Sequence, residues 1–197
     1  NDQDVYMRHV AVLALSRIGA QKPILALVDN PNKSLRLAAV LILRKWSHPN
    51  LKYFLNDADE YIVTEAARAI NDDWSVEENL SDLAALLSRQ DLQSAPLLRR
   101  AIGAASRVGG DQELDLLVQF ANNTKVASHL RIEAISAIEH WASPSVLDRV
   151  DGRFRGPQVR NLNTLQEKSL MLLTNLKTEL DPEVQVAMIE MFATTKV

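Results

Sequence analysis

Leu35-Arg36-Leu37-Ala38-Ala39 runs through an apolar stretch into Trp46-Ser47-His48-Pro49, and Leu130-Arg131-Ile132-Glu133-Ala134 runs into Trp141-Ala142-Ser143-Pro144 at the same spacing. Met7-Arg8, Ile62-Val63 and Leu98-Arg99 open further copies. A motif returning at intervals of about thirty residues marks stacked supersecondary units, none of which can bury its apolar face alone. The fold class that follows is all-α, an α-α superhelix of five to six helical repeats, with the 197 residues read as one domain, 1–197.

Local signals divide each repeat into a short helix, a turn and a long helix. The first long helix is expected from about Val5 to Ile18, with Asp4 as N-cap and Gly19 as stop. A short helix near Pro23 to Val28 leads to a turn at Asp29-Asn30-Pro31-Asn32. The second long helix covers about Ser34 to Trp46, with Leu35, Ala38, Ala39, Ile42 and Trp46 on one stripe. Pro49 opens another short helix through Leu51, Phe54 and Leu55, and Asp57 or Asp59 caps the helix Glu60 to Ile70. Glu77 to Leu87 pairs with Ala95 to Val108, whose Pro96 suits a first turn and which Gly109-Gly110 ends. Gln112 to Ala121 pairs with Ser128 to Trp141. The sequence from Asp151 to Pro157 breaks the pattern, and helices resume from about Asn163 to Leu176 and Pro182 to Phe192. The closing segment is apolar on more than one face, where a terminal repeat would carry a polar cap, so the chain reads as a piece of a longer one.

Composition narrows the chemistry. A net charge of −3 gives no general attraction to nucleic acid or anionic lipid, and no apolar run spans a bilayer. With no cysteine, the segment holds no disulfide, Cys-ligated zinc, iron–sulfur cluster or Cys-x-x-Cys-His haem attachment. His129 and His140, two of four histidines, stand about 16 Å apart along one helix face, too far to share a metal. Asn56 to Glu60 resembles the start of a calcium loop but lacks the sixth-position glycine and has Ala67 at the twelfth position, so helix capping explains its acids. Ser106 sits at helical spacing between Gly103 and Gly109 with no strand before it, which excludes a nucleophile elbow. No catalytic, cofactor-binding or metal-ligating residue is assigned, and the segment reads as no enzyme.

The unit resembles the short HEAT-like repeat also seen in bilin lyases, a HEAT/armadillo-like solenoid, on its Leu-Arg-x-Ala-Ala openings and the Arg17-Ile18-Gly19 stop. A second resemblance spans nearly the whole chain. Asp57-Ala58-Asp59 through Asp73, Leu98 to Gly110, Leu130 to Trp141 and Asp148 to Pro157 are similar to the middle domain of large bacterial proteins. In those proteins a glucose/sorbosone dehydrogenase-like β-propeller precedes this domain and a cytochrome c-type haem domain often follows it. The resemblance implies an exported, periplasmic or cell-envelope protein whose HEAT-like segment carries neither cofactor. Its partners would be protein domains, the flanking domains of the same polypeptide. The alternative is a stand-alone adaptor gripping a peptide or protein in its concave groove.

Candidate partner-binding residues fall in three groups. Arg68, Arg99 and Arg100 can face the concave groove, whereas Arg8, Arg36 and Arg131 recur at one repeat position and read as an architectural ladder. Asp72, Asp73 and Trp74 end one helix and either cap the next or form a contact patch. Arg153-Phe154-Arg155 combines an aromatic with two guanidinium groups, the composition of an interface anchor, unless Phe154 folds back over the solenoid end.

Overall fold

A computed structural model of the chain describes residues 4–72, 76–158, 160, 162 and 164–195. The helices are α1 (Val5–Ile18), α2 (Gln21–Leu25), α3 (Lys33–Lys45), α4 (Glu60–Asn71), α5 (Leu80–Ala84), α6 (Ala95–Val108), α7 (Asp111–Asn122), α8 (Ser128–Glu139), α9 (Leu165–Leu176) and α10 (Pro182–Thr195). Tighter 3-10 segments occupy Pro49–Asn56, Glu77–Asn79 and Ala85–Ser88. Contacts gather into two compact units, Asn1–Asp82 and Leu83–Val197.

Within the first unit α1, α3 and α4 stack side by side, and the shorter elements α2, Pro49–Asn56 and Glu77–Asn79 form a second row behind them. Caps and stops set the helix ends. Asp4 Oδ1 accepts from the Tyr6 and Met7 amides at 3.0 and 3.1 Å, Asn32 Oδ1 from Ser34 at 2.9 Å, and Asp59 Oδ1 from Tyr61 at 3.0 Å. Gly19 ends α1 at φ 72°, a left-handed conformation that glycine adopts without a Cβ penalty. The expected stripe of α3 is only partly the buried one. Leu35 is 43% exposed, whereas Leu37, Ala39, Val40, Ile42 and Leu43 are buried. The helix meets α1, α4 and the Pro49–Asn56 segment on different sides, so its apolar face is broader than one stripe and displaced from it.

In the second unit α6, α8 and α10 form one row, and Ala85–Ser88, α7 and α9 the other. α8 is enclosed by α6, α7 and α10 and buries Leu130, Arg131, Ala134, Ile135, Ala137 and Ile138. The continuous helix expected from Glu77 to Leu87 is instead three short pieces. Among the described residues, the non-helical stretch between α8 and α9 holds one antiparallel bridge, Leu147 to Phe154.

Two arginines of the ladder, Arg36 and Arg131, are architectural. Arg36 donates to both oxygens of Asp57, at 2.7 and 3.0 Å, and to the Asn30 carbonyl at 2.8 Å. Arg131 donates to the Ala121 carbonyl at 2.8 Å and grips both carboxylate oxygens of Glu179. Each arginine thus fastens the end of the preceding element to the connection that leads into the next long helix. The connections share a design. Asp57 accepts from the Asp59 amide at 2.9 Å and Asp59 caps α4, while Glu179 accepts from the Asp181 amide at 3.0 Å and Asp181 caps α10 through the Glu183 amide at 2.9 Å. Asp4 and Asn32, four residues before Arg8 and Arg36, serve as N-caps.

Candidate interaction surface

The sequence from Val146 to Arg155 folds back on itself because Asp148 N donates to the Arg153 carbonyl and Arg155 N to the Val146 carbonyl, both at 2.8 Å. Gly152 at φ 70° allows the reversal. Asp148 Oδ1 accepts from the Val150 and Asp151 amides at 2.8 and 3.1 Å, which tightens the turn. Its other oxygen is fully buried, 3.6 Å from both Arg107 of α6 and Arg155. Arg155 also donates to Asp151 at 3.0 Å. Arg149 reaches α8, donating to Ser136 Oγ at 3.2 Å. A buried ion cluster to α6 and an exposed hydrogen bond to α8 thus pin the hairpin, and Phe154 is left 71% exposed beside exposed Val146 and Leu147.

The arrangement revises the reading of Arg153-Phe154-Arg155. Phe154 does not fold back over the chain. Arg155 turns inward, because Asp148 and Asp151 offer it carboxylates, so only Arg153 accompanies the ring, its guanidinium 3.7 Å from Asp151. Arg99 lies on the outward side of α6 and donates to Glu133 of α8 at 3.0 Å, while Arg100 donates to the Pro96 carbonyl at 2.8 Å. Arg99 also shows a register difference. Arg8, Arg36 and Arg131 stand four positions after their N-caps Asp4, Asn32 and Ala127, but Arg99 stands five after Ser94, and the buried Leu98 occupies the ladder position.

In the first unit Arg68 is half exposed between Glu65 and Asp72, at 3.6 and 3.7 Å. Asp72 therefore answers a cation of its own helix, a placement that offsets its unfavourable position at the negative end of the dipole. Asp73 and Trp74 lie outside the described residues. Thus the second unit brings Arg99, Arg100, Arg153 and Phe154 onto elements that pack together, while Arg68 and Asp72 belong to the other unit.

Behind the hairpin, Arg160 lies 4.2 Å over the ring of buried Trp141 and donates to the Ser106 carbonyl and to Gln158 Oε1. Desolvation pushes its pKa down to about 10, so it stays charged at neutral pH. It closes against Gly109, the stop of α6 at φ 71°, where a Cβ would meet Arg160 Nη1 at 3.0 Å. Gly109→Ala is expected to cost at least the roughly 1–2 kcal/mol of a left-handed alanine, plus displacement of Arg160. Gly19→Ala, where a Cβ meets nothing within 4 Å, costs the conformational part alone. Chemical denaturation of the two variants checks the difference.

Among the described residues, no group of three or more His, Asp or Glu side chains is placed to hold a metal ion, and no helix is long and apolar enough to cross a membrane. No protein-family model matches the chain, and no curated protein matches it in sequence. Among solved structures it is similar to a designed armadillo repeat protein in complex with the peptide (KR)4. The two are 19% identical, the match covers 93% of this chain and 85% of that one, and the TM-score is 0.52. At that identity the likeness establishes the fold, an all-helical solenoid of the armadillo/HEAT kind.

Proposed function

We propose that the chain is a non-catalytic helical-repeat scaffold that holds a protein partner through the hairpin of the second unit. The observation that carries this reading is Phe154, 71% exposed on a turn locked by the buried Asp148, Arg107 and Arg155 cluster. An aromatic presented on a rigid mount loses little conformational freedom on binding, which favours it as an anchor. Arg153 beside it in the chain suits a partner with a carboxylate next to an apolar socket.

A photo-crosslinking residue at position 154, used in the native host, is expected to capture one defined protein or domain. The same group at exposed Tyr53 of the first unit is expected not to. Phe154→Asp should then weaken binding to that partner by about thirtyfold or more, the effect of losing an anchor worth about 2 kcal/mol. Unchanged affinity removes the proposal.

The motif resemblance supports a narrower version, in which the partners are flanking domains of one exported dehydrogenase and cytochrome c polypeptide and this segment binds no cofactor. Its test is the reading frame on either side of Asn1 and Val197, where a propeller upstream and a Cys-x-x-Cys-His downstream are required. A stand-alone adaptor using Arg68, Arg99 and Arg100 is the other version. Charge reversal at those three arginines, with Phe154 intact, abolishes capture under that version only.

A further inference from the structure

We infer that a cavity between the two connections 89–94 and 123–127 is a binding site for a small aromatic carboxylate. Leu92, Leu98, Phe120 and Leu130, all nearly inaccessible to solvent, line its apolar wall. Its mouth is polar and carries Arg89, Gln93, Lys125 and His129, and no Asp or Glu lines any part of it. The site lies wholly within the second unit, away from the residues of the hairpin.

Size and charge select the ligand class. The volume is about 220 Å³. A dry apolar cavity of about 150 Å³ holds benzene, so this one takes a single ring with a short tail, or two fused rings. The apolar wall gives a bare inorganic anion nothing to contact, while an aromatic amine would bring a cation to a cationic mouth. An aromatic body with one negative end satisfies both parts. Arg89 is already held by Asp91 at 2.5 Å, so Lys125 supplies the principal charge for the ligand. Its backbone is fixed by the Asn123 side chain, which accepts from Lys125 N at 3.1 Å. The first turns of α6 and α8 border the same mouth without side-chain caps, and their dipoles have the sign that favours an anion.

The test is amide-resolved NMR of the full chain titrated with phenylpropionate, alongside its neutral isostere phenylpropanamide. The acid is expected to shift the amides of Leu92, Phe120, Lys125, His129 and Leu130 and to leave those of α1 unmoved. The neutral isostere should bind about tenfold more weakly, and Lys125→Glu should weaken the acid by a similar factor with the rest of the spectrum unchanged. Equal binding of acid and isostere, an unaffected Lys125→Glu variant, or absence of shifts at those amides would overturn the inference. So would tighter binding of Gly-Gly-Phe than of the free acid, which would assign the cavity to a chain terminus. Neither result bears on Phe154, so this site and the hairpin interface stand or fall separately.

Discussion

Arg131→Ala is expected to destabilise the second unit by about 3–5 kcal/mol, lowering its melting temperature on the order of 10–20 °C. Arg131 and Glu179 are both buried, and the guanidinium also satisfies the Ala121 carbonyl. Truncating the arginine leaves a carboxylate in the interior without its cation, and that uncompensated charge is the main cost. Arg131→Met with Glu179→Leu removes both charges, so it should recover most of the loss, apart from the backbone amides of Leu180 and Asp181 that Glu179 accepts. If the single and double variants melt alike, the pair is not what matters.

Acid titration gives a second reading of the same contact. The Arg131 hydrogen bond first, opposed by burial, holds the Glu179 carboxyl below its usual range. A carboxylate with a lowered folded pKa contributes stability above its unfolded value of about 4.3, and the contribution disappears as pH falls through the folded value. The wild-type unit should therefore lose stability faster than Arg131→Ala between neutral pH and the acid limit. Parallel curves from denaturant titrations would contradict this assignment.

Trp141→Ala is the second large effect, about 3–5 kcal/mol. Trp141 is among the largest fully buried side chains, and its ring supports the Arg160 guanidinium, so the deletion opens a void and strips a desolvated cation of its stacking surface. Trp141→Phe keeps an aromatic face and should lose much less. A double-mutant cycle with Arg160→Met separates the terms, with a coupling of about 0.5–2 kcal/mol expected if the stacking contributes as the geometry indicates. Zero coupling would leave packing alone as the cause. The other repeated tryptophan is a contrast. Trp46 is only part-buried and donates Nε1–H to the Ser16 carbonyl at 3.0 Å, so the same motif position serves two different contacts.

Most helix ends were legible because their causes are local. Asp4, Asp59 and Gly19 act within a few residues of where they stand, and capping chemistry identifies them without tertiary information. The arginine ladder was legible as a repeat, but its acceptors were not, since Glu179 lies far along the chain from Arg131 across an irregular segment. Its signal was present in Glu179-Leu180-Asp181, which repeats the carboxylate-x-carboxylate order of Asp57-Ala58-Asp59. Arg99 illustrates a subtler loss. Aligning Leu98-Arg99 with Leu35-Arg36 by residue type hides a shift of one position, which counting from Ser94 would have exposed. The hairpin read as a helix break, yet the inward turn of Arg155 depends on Asp148, whose burial needs Arg107 of a distant helix. The apolar cavity beside Lys125 left no sequence signature, because its walls are ordinary core leucines until two connections part around them.

Because the backbone pairing of Val146 with Arg155 and the contacts of Asp148 to Arg107 and Arg155 fix the base of the hairpin, its tip is a short loop on a secured stem. Such a loop can lengthen or shorten without disturbing the stem that brackets it, since closure entropy grows only slowly with loop length. The place where this chain can most readily diversify is thus the same place where it carries its exposed aromatic. Graft libraries of short peptides would enter between Val150 and Phe154, with the surrounding solenoid acting as an inert frame.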